Sequence, residues 1–419
     1  MINNVDIKNT RYLSKGSWIS LGFISYICLF VLLYLEDRIF LFGLSLSNIW
    51  KISLVFLALA FIGLKIKAKV PNLYAYAIIF IICIGLNGSL TLSINDIERM
   101  MLFLVLPVSY YSFYFISQSN IKRLKNILLF LSLFVLTSTI PFILGFIEPI
   151  TDEGLDSFAI SYNLDTSMLV GFFKHPAISS KVFVISTIVI FSLGLLNSKK
   201  SSIENIFWLF ILLFGFYCIY LSFTRTGWLM IAAFFSIFIL KTNDISAIKK
   251  IGLLFIGFSL LLIFFTQNDA FANRLLGVRN GVEVSSNFLN TISSGRTEIF
   301  TTLIGLIFSG SMLNIILGMG SEMFSLLNYG GAAHNVFIET FIVSGLLGLF
   351  VYIFWLILLY KEIIKYSIKS NISAVVSSVY WCMIVSFMLS HGLGFFGNIL
   401  FGGLIAYHRL VGQKNIIKQ

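Results

Sequence analysis

Residues 294–349 read SGRTEIFTTLIGLIFSGSMLNIILGMGSEMFSLLNYGGAAHNVFIETFIVSGLLGL, and the rest of the chain is organised around this stretch. It begins with the polar run Ser294–Glu298, passes Gly318-Met319-Gly320 and reaches His334-Asn335. A long apolar helix is predicted to begin at once, at Val336. An arginine, a histidine, an acid and several glycines therefore gather beside a predicted membrane span, and any chemistry is expected here.

The composition of the chain is that of a membrane protein. Its mean hydropathy is +0.95, and 58% of its residues are hydrophobic while 11% are charged. Apolar runs of about 20 residues recur along the chain, and a helix of this length crosses a bilayer. The first run is not followed by a small-residue cleavage site, so it is interpreted as a retained span. We therefore predict an all-α integral membrane protein in which residues 1–419 form a single polytopic domain.

Charge and cysteine usage argue against other classes of protein. The net charge of +11 could indicate nucleic acid, but the basic residues occupy short loops between apolar runs. The excess is therefore interpreted as a topology signal, and no nucleic-acid partner is expected. The four cysteines lie inside apolar runs without CxxC spacing, which predicts neither a disulfide framework nor a zinc site.

Twelve membrane spans are predicted, and lysines set their orientation. The spans lie at about 18–35, 45–64, 73–90, 101–117, 127–147, 176–196, 205–223, 226–241, 248–266, 335–360, 372–391 and 395–411. Lysine clusters fall in every second connection, at 65–69, 122–125, 199–200, 241–250 and 361–369, and lysines also lie near both termini. By the positive-inside rule, these connections and both termini are cytoplasmic.

The same parity decides how residues 299–317 are interpreted. This segment is apolar enough to suggest a thirteenth span, but a crossing there would move the lysines of the next connection outside and separate Arg296 from His334. It is therefore predicted to be an external helix that lies on the membrane or packs on the bundle. Residues 267–334 then form a large external catalytic loop with short helices, and residues 148–176 form a second external loop.

Arginines are distributed differently from lysines. On this topology six of the nine arginines face outward, namely Arg38, Arg99, Arg225, Arg274, Arg279 and Arg296. The planar guanidinium group suits bidentate phosphate binding and keeps its charge beside a low-dielectric membrane. Arg225 is flanked by long apolar spans, so it is either a site residue or an interfacial anchor. Arg296 could instead pair with Glu298. Arg274 and Arg279 could bind substrate or be solvated loop charges.

His334 is the candidate general base. It follows a glycine-rich approach and directly precedes a span, where a neutral imidazole could accept a proton from a hydroxyl group. The alternative is a satisfied interfacial side chain. Asn335 could orient His334 or cap the following helix. His175, which lies between Lys174 and Pro176, could bind substrate or pack at the start of a helix.

Metal-binding patterns are scarce in the sequence. There is no HExxH motif, no Cys/His cluster and no Asp-x-Asp motif. Glu36-Asp37 in the first external loop is adjacent rather than alternate, and a metal role there is the open alternative. Gly318-Met319-Gly320 is too short for a nucleotide fingerprint and is predicted to permit a tight turn. We expect no metal and no cofactor.

Four motifs follow one another along the chain: Thr224–Gly227, Ser294–Arg296, Gly318–Gly320 and His334-Asn335. In this order, and on one predicted side of the membrane, they resemble the O-antigen ligase/polymerase family. The resemblance covers about residues 170–360 together with the twelve-span layout. It implies a metal-independent, inverting glycosyltransferase of the GT-C type. Such an enzyme works at the outer face of the bacterial inner membrane on a glycan carried by undecaprenyl pyrophosphate.

The resemblance also implies roles for individual residues. Arg225 and Arg296 would bind the donor pyrophosphate. His334 would activate the acceptor hydroxyl group, with Asn335 beside it. Lys174-His175 is similar to a less strict feature of the family and would contact substrate. Attack at the anomeric carbon builds negative charge on the departing pyrophosphate, which fixed guanidinium groups would stabilise.

Three functions remain open on the sequence. A polymerase passes the growing glycan to a lipid-linked repeat unit, whereas a ligase passes it to lipid A-core. The interval between Arg296 and His334 is short and nearly uncharged, which favours the polymerase, for O-antigen or capsule. A flippase should show pseudo-repeated halves and ionisable residues at the midplane. Here the predicted midplanes are almost uncharged, with Lys51 and Lys181 as the nearest exceptions, and the polar residues cluster on one face, which suits an enzyme better. A chain-length regulator is a further candidate partner of a polymerase.

Overall fold

The structure of the protein is a computed structural model. The described residues are 40–41, 44–45, 72–86, 94–118, 120–147, 168–171, 173, 175–196, 201–242, 246–266, 278–279, 282–283, 296–321, 323, 335–365, 371–390 and 392–417. In part of these helices and strands only the backbone is described. The statements that follow concern these residues.

Helices account for most of the described chain. In order they are α1 (Asn72–Gly85), α2 (Ile94–Ser117), α3 (Ile121–Thr137), α4 (Ile140–Ile143), α5 (Pro176–Val189), α6 (Ser202–Leu221), α7 (Arg225–Lys241), α8 (Ala247–Thr266), α9 (Arg296–Ser309), α10 (Met312–Leu317), α11 (Val336–Lys365), α12 (Asn371–Leu389) and α13 (Gly394–Ile417). Two antiparallel hairpins pair β1 (Phe40–Leu41) with β2 (Leu44–Ser45) and β3 (Val278–Arg279) with β4 (Val282–Glu283).

Ten of the twelve predicted spans, those that lie between residues 72 and 417, coincide with helices. The predicted span 18–35, and 45–64 apart from its first residue, lie outside the described part of the chain. Four segments are long and apolar enough to cross a membrane, namely Ile121–Ile143, Pro176–Leu195, Ser202–Leu221 and Val336–Lys365. The twelve-span layout stays a prediction.

The outer surface of the bundle carries large apolar side chains. On α6, Ile203 is 79% exposed and Phe210 is 67% exposed, and on α8 Ile251 and Phe255 show similar exposure. Water-soluble proteins rarely leave contiguous apolar surface of this kind uncovered. Lipid tolerates it, because lipid tails are themselves apolar. The backbone of a helix can also lie in lipid, because its hydrogen bonds are satisfied within the helix. These faces are therefore those of a helical membrane protein.

Helix α5 lies at the centre of the bundle. Its residues from Ser179 to Val189 are all buried, which is the pattern of a helix covered on every side. Helices α3, α6, α7 and α13 pack around it. The helix continues directly into a π-helical turn, Ile190–Leu195. The side chains of its first turns are consequently held in fixed positions by neighbours from several elements.

The long helix α11 is broken at Gly345, whose φ of 63° and ψ of −165° are not helical. The part after the break, 346–365, is about 30 Å long at 1.5 Å per residue, which is enough to cross the hydrocarbon core alone. The chain that follows α10 packs on the break. There the N–H of Met319 donates to the carbonyl of Ile342 at 2.7 Å, and the N–H of Gly320 donates to Val343 at 3.3 Å.

A polar cluster joins the C-terminal ends of α2, α11 and α13. Arg409 of α13 forms an ion pair with Glu362 of α11 and bonds to the hydroxyl of Tyr110. Its guanidinium carbon lies 4.1 Å from the centroid of the Tyr114 ring. These contacts fix three helices at the end that the lysine pattern assigns to the cytoplasm.

Residues 299–317, predicted to form one external helix, form the two helices α9 and α10 with a break at Gly310-Ser311. Their side of the membrane can be measured at Ser309, which is exposed at the end of α9. In a background without Cys28, Ser309→Cys is expected to react with an impermeant thiol reagent in intact cells. The other native cysteines are buried.

The matched control for this labelling is Ser246→Cys, in the exposed connection between α7 and α8. The lysine pattern places this connection in the cytoplasm, so labelling should require permeabilised cells. Labelling of Ser309→Cys only after permeabilisation would refute the parity argument and would place α9 on the cytoplasmic side.

Candidate functional site

Five helix ends that the lysine pattern assigns to the external side meet in the structure. The amide of Asn335, before α11, donates to the carbonyl of Met388 near the end of α12, at 3.0 Å. A Cβ built on Gly227 of α7 would lie 3.0 Å from the Cβ of Ser180 on α5, and one built on Gly394 of α13 would lie 3.4 Å from Ile178. Together with the hydrogen bond between Lys181 of α5 and Ser390 after α12, these contacts link the N-terminal ends of α5, α7, α11 and α13 with the C-terminal end of α12.

Arg225 is the first residue of α7, and a tight turn places it there. Phe223 in this turn has a φ of +50°, which is uncommon for a residue other than glycine. Gly227, one turn into α7, permits the close approach to Ser180. An arginine at a helix N-terminus opposes the helix dipole at a cost of about 0.3–1 kcal/mol. Helix stability therefore does not explain its position, whereas binding of an anion there would.

A buried lysine lies close to the same helix ends. Lys181 of α5 is 2% exposed, and its Nζ donates to the Oγ of Ser390 at 2.7 Å. Ser390 directly follows α12. A charged ammonium group is costly to bury unless it is hydrogen-bonded or paired. Lys181 is thus a second cation near the point where the helix ends meet, and Ser390 holds it in place.

A cavity of about 110 Å³ opens between α1, α2, α11 and α13. At its polar side Arg99 of α2 pairs with Glu339 of α11, with 3.3 Å between Nη1 and Oε2. The rest of its wall is mainly apolar and includes Phe103, Tyr352 and Trp355. Glu339 lies one turn after Asn335 along α11. This ion pair therefore connects the cavity to the helix end that follows His334.

Asp96, at the start of α2, attaches the chain after α10 to the same region. Its side chain is fully buried, and Oδ1 accepts a hydrogen bond from the backbone N–H of Ser321 at 3.0 Å. Since Met319 and Gly320 bond to α11, residues 319–321 bridge α2 and α11. The predicted tight turn at Gly318–Gly320 is thus a docking segment between two helices.

Two of the predicted site residues cap helices. The Oδ1 of Asn335 accepts hydrogen bonds from the N–H groups of Phe337 and Ile338, at 3.0 and 3.1 Å. The Nδ1 of His175 accepts from the N–H of Ala177 at 3.1 Å. Asn335 therefore caps α11, and His175 lies against the start of α5, as the alternative interpretation of each residue predicted. Capping fixes them at the helix ends that meet and leaves their proposed substrate roles untested.

The other predicted residues are described in part or not at all. Arg225 is half-buried at the start of α7. Arg296 begins α9 and Arg279 ends β3, but only their backbone is described. His334, Lys174 and Arg274 lie outside the described residues, as do Glu36 and Asp37. Among the side chains that the structure describes, no group of three His, Cys, Asp or Glu residues is arranged to hold a metal ion.

The sequence reasoning overlooked Glu339 and Asp96, and it assigned Arg99 no specific role. One signal for Glu339 was present, because it is the only acidic or basic residue between Asn335 and Lys361. An ionisable residue inside an apolar span is a candidate site residue by default. The partnership with Arg99 joins residues 240 positions apart, and no local pattern predicts it.

Comparison of the chain with protein-family models finds no match, and comparison with curated proteins finds none either.

Proposed function

We propose that the protein is a metal-independent, inverting glycosyltransferase of the GT-C type. It joins glycan repeat units carried on undecaprenyl pyrophosphate into O-antigen or capsular polysaccharide, at the external face of the bacterial inner membrane. The observation that carries this proposal is that four helix N-termini are linked by close contacts, with Arg225 at the start of α7 and Lys181 near the start of α5. The motif resemblance supplies the reaction class, and the structure supplies a physical reason why a pyrophosphate would bind there.

The reason is electrostatic. Each helix N-terminus carries roughly half a positive charge, because the peptide dipoles align along the helix axis. Such ends bind phosphate groups in many proteins. At this site the ends of α5, α7, α11 and α13 lie together, and Arg225 and Lys181 add formal positive charge. A pyrophosphate at the membrane boundary is the anion that suits this arrangement.

The reaction needs few protein groups. The acceptor hydroxyl oxygen attacks the anomeric carbon, the bond from that carbon to the pyrophosphate oxygen breaks, and lipid pyrophosphate leaves. His334 takes the hydroxyl proton, while Arg225 and Arg296 stabilise the charge that develops on the leaving group. Residues 297–333, between Arg296 and His334, contain two acids and no base, which leaves little surface for a large anionic core acceptor. This favours a second lipid-linked repeat unit as the acceptor.

Arg225 offers a direct test in proteoliposomes that contain lipid-pyrophosphate-linked repeat units from a strain lacking the protein. Wild type is expected to extend the glycan. Arg225→Gln should slow extension by about 10²-fold, the usual cost of removing one stabilising donor from a developing charge. Arg225→Lys should fall between the two, since it keeps the charge but loses the planar fork.

Arg123→Gln is the matched control, because Arg123 is exposed at the start of α3 on the predicted cytoplasmic side. It should extend glycan at the wild-type rate. Full activity of Arg225→Gln would remove Arg225 from the proposed site. Wild-type protein that moves the lipid-linked unit across the bilayer without extending it would replace the proposal with transport.

A further inference from the structure

The cavity beside Arg99 and Glu339 has the features of a second ligand site. The side chain of Glu339 is 8% exposed and that of Arg99 is 22% exposed, so the carboxylate is buried and the arginine side chain is partly accessible. Nη1 of Arg99 lies 3.3 Å from Oε2 of Glu339, which is longer than the 2.7–2.9 Å of a strong charge-assisted hydrogen bond. A pair held this loosely can exchange partners when a ligand binds.

We propose that this cavity binds the phosphate-proximal end of a prenyl pyrophosphate, which would be the lipid of the acceptor substrate. The pyrophosphate would replace Glu339 as the partner of Arg99. The first isoprene unit would lie in the apolar part of the cavity. The identity of the lipid rests on the proposed function, whereas the presence of an anion site beside Arg99 rests on the geometry alone.

The size and lining of the cavity fit a short branched hydrocarbon. A dry cavity of about 150 Å³ lined by aliphatic and aromatic residues holds benzene in another protein, so about 110 Å³ suits a five-carbon unit. The ring of Phe103 lies 4.6 Å from that of Trp355 and 5.5 Å from that of Tyr352, measured between centroids. These rings form part of the apolar wall of the cavity.

The location also suits an enzyme with two lipid-linked substrates. The cavity and Lys181 lie near the same chain segment, because Gly392 and Gly394 line the cavity while Ser390 bonds to Lys181. One phosphate would lie at Arg225 and Lys181 and the other at Arg99. A polymerase needs two such sites, since both of its substrates are carried on lipid pyrophosphate.

Glu339 allows a test in which the sign of the effect is diagnostic. If a pyrophosphate displaces Glu339, then Glu339→Gln removes both competition for Arg99 and charge repulsion, and binding should tighten by at least about threefold. A neutral ligand that donates hydroxyl groups to the carboxylate would instead bind more weakly to this variant. The double variant Arg99→Gln/Glu339→Gln leaves no unpaired buried charge and should weaken binding by at least about tenfold.

Binding can be read at this site with a geranylgeranyl pyrophosphate that carries a diazirine in its first isoprene unit. Protein in neutral detergent is irradiated, and labelling of the α2 and α11 peptides containing Phe103 and Tyr352 is measured by mass spectrometry. The probe concentration that gives half-maximal labelling should be lowest for Glu339→Gln, intermediate for wild type and highest for the double variant. The corresponding hydrocarbon probe, which lacks both the pyrophosphate and a hydroxyl group, should label all three equally, because it has no charge and donates no hydrogen bond.

The outcomes separate this inference from the proposed function, since labelling needs no turnover. Unchanged labelling in the double variant, or weaker labelling in Glu339→Gln, would overturn the anion site. Equal competition by phosphatidylglycerol and geranylgeranyl pyrophosphate would overturn the substrate assignment, because the site would then bind any anionic lipid. Competition by the prenyl pyrophosphate alone supports the assignment, whether or not the protein extends glycan in proteoliposomes.

Discussion

Alanine at position 334 is expected to leave the surface glycan of a complemented deletion strain at one repeat unit, where wild type restores long chains. His334 is the proposed base for the acceptor proton, and general-base catalysis contributes about 10²–10⁴-fold to such reactions. The measurement is an electrophoretic profile of surface polysaccharide, with the amount of the protein in the membrane determined in parallel.

Ser311→Ala is a suitable control for this experiment, because it removes the side-chain cap of α10 on the same predicted side of the membrane. It should cost about 1 kcal/mol of stability and leave the glycan ladder intact. Loss of all surface glycan, with polymer accumulating on the lipid carrier, would indicate a ligase. A normal ladder from His334→Ala would make the general-base assignment wrong and would reopen the transport hypothesis.

Helix positions could be predicted from the sequence because a bilayer demands long apolar runs, and such runs stand out locally. The starts of helices could also be predicted where a side chain caps its own helix, as Asn335 and His175 do. The break between α9 and α10 had a local signal as well. Ser311 after Gly310 is an N-cap pattern, and the apolar character of 299–317 concealed it.

Contacts between distant segments could not be predicted in this way. The pairing of Lys181 with Ser390, and that of Arg99 with Glu339, depend on which helices become neighbours in the bundle. Lysine parity predicts that these helix ends share one side of the membrane, but it does not say which of them touch. The meeting of the ends around α12, which carries the proposed function, is therefore information that the structure adds.

The break in α11 is the least predictable feature and leads to the second large prediction. Gly345 and Gly318 both have positive φ with ψ near 180°, a region that essentially only glycine occupies. A Cβ on Gly318 would overlap the carbonyl of Val343, and a Cβ on Gly345 would overlap the carbonyl of Ile316. The two backbones therefore touch directly, with no room for a side chain on either glycine.

Gly345→Ala and Gly318→Ala are each expected to cost about 3 kcal/mol or more, because backbone strain adds to a steric overlap that rigid backbone cannot relieve. The measurement is the thermal midpoint of the purified protein in detergent, followed by size-exclusion chromatography. Gly305→Ala is the matched control, since a Cβ on this helical glycine of α9 meets nothing within 4 Å. There alanine should be neutral or stabilising by up to about 1 kcal/mol.

In the same two variants, the activity should fall by more than the loss of folded protein alone would cause. Residues 336–344, before the break, carry Glu339 and follow Asn335, so the angle of the break sets the position of Glu339 and of the N-terminal end of α11 in the bundle. Reacting groups misplaced by about 1 Å can lose about 10²-fold in rate. A Gly345→Ala protein that is as stable and as active as Gly305→Ala would show that the bend of α11 is imposed by its surroundings, and that Gly345 is not needed to position the site.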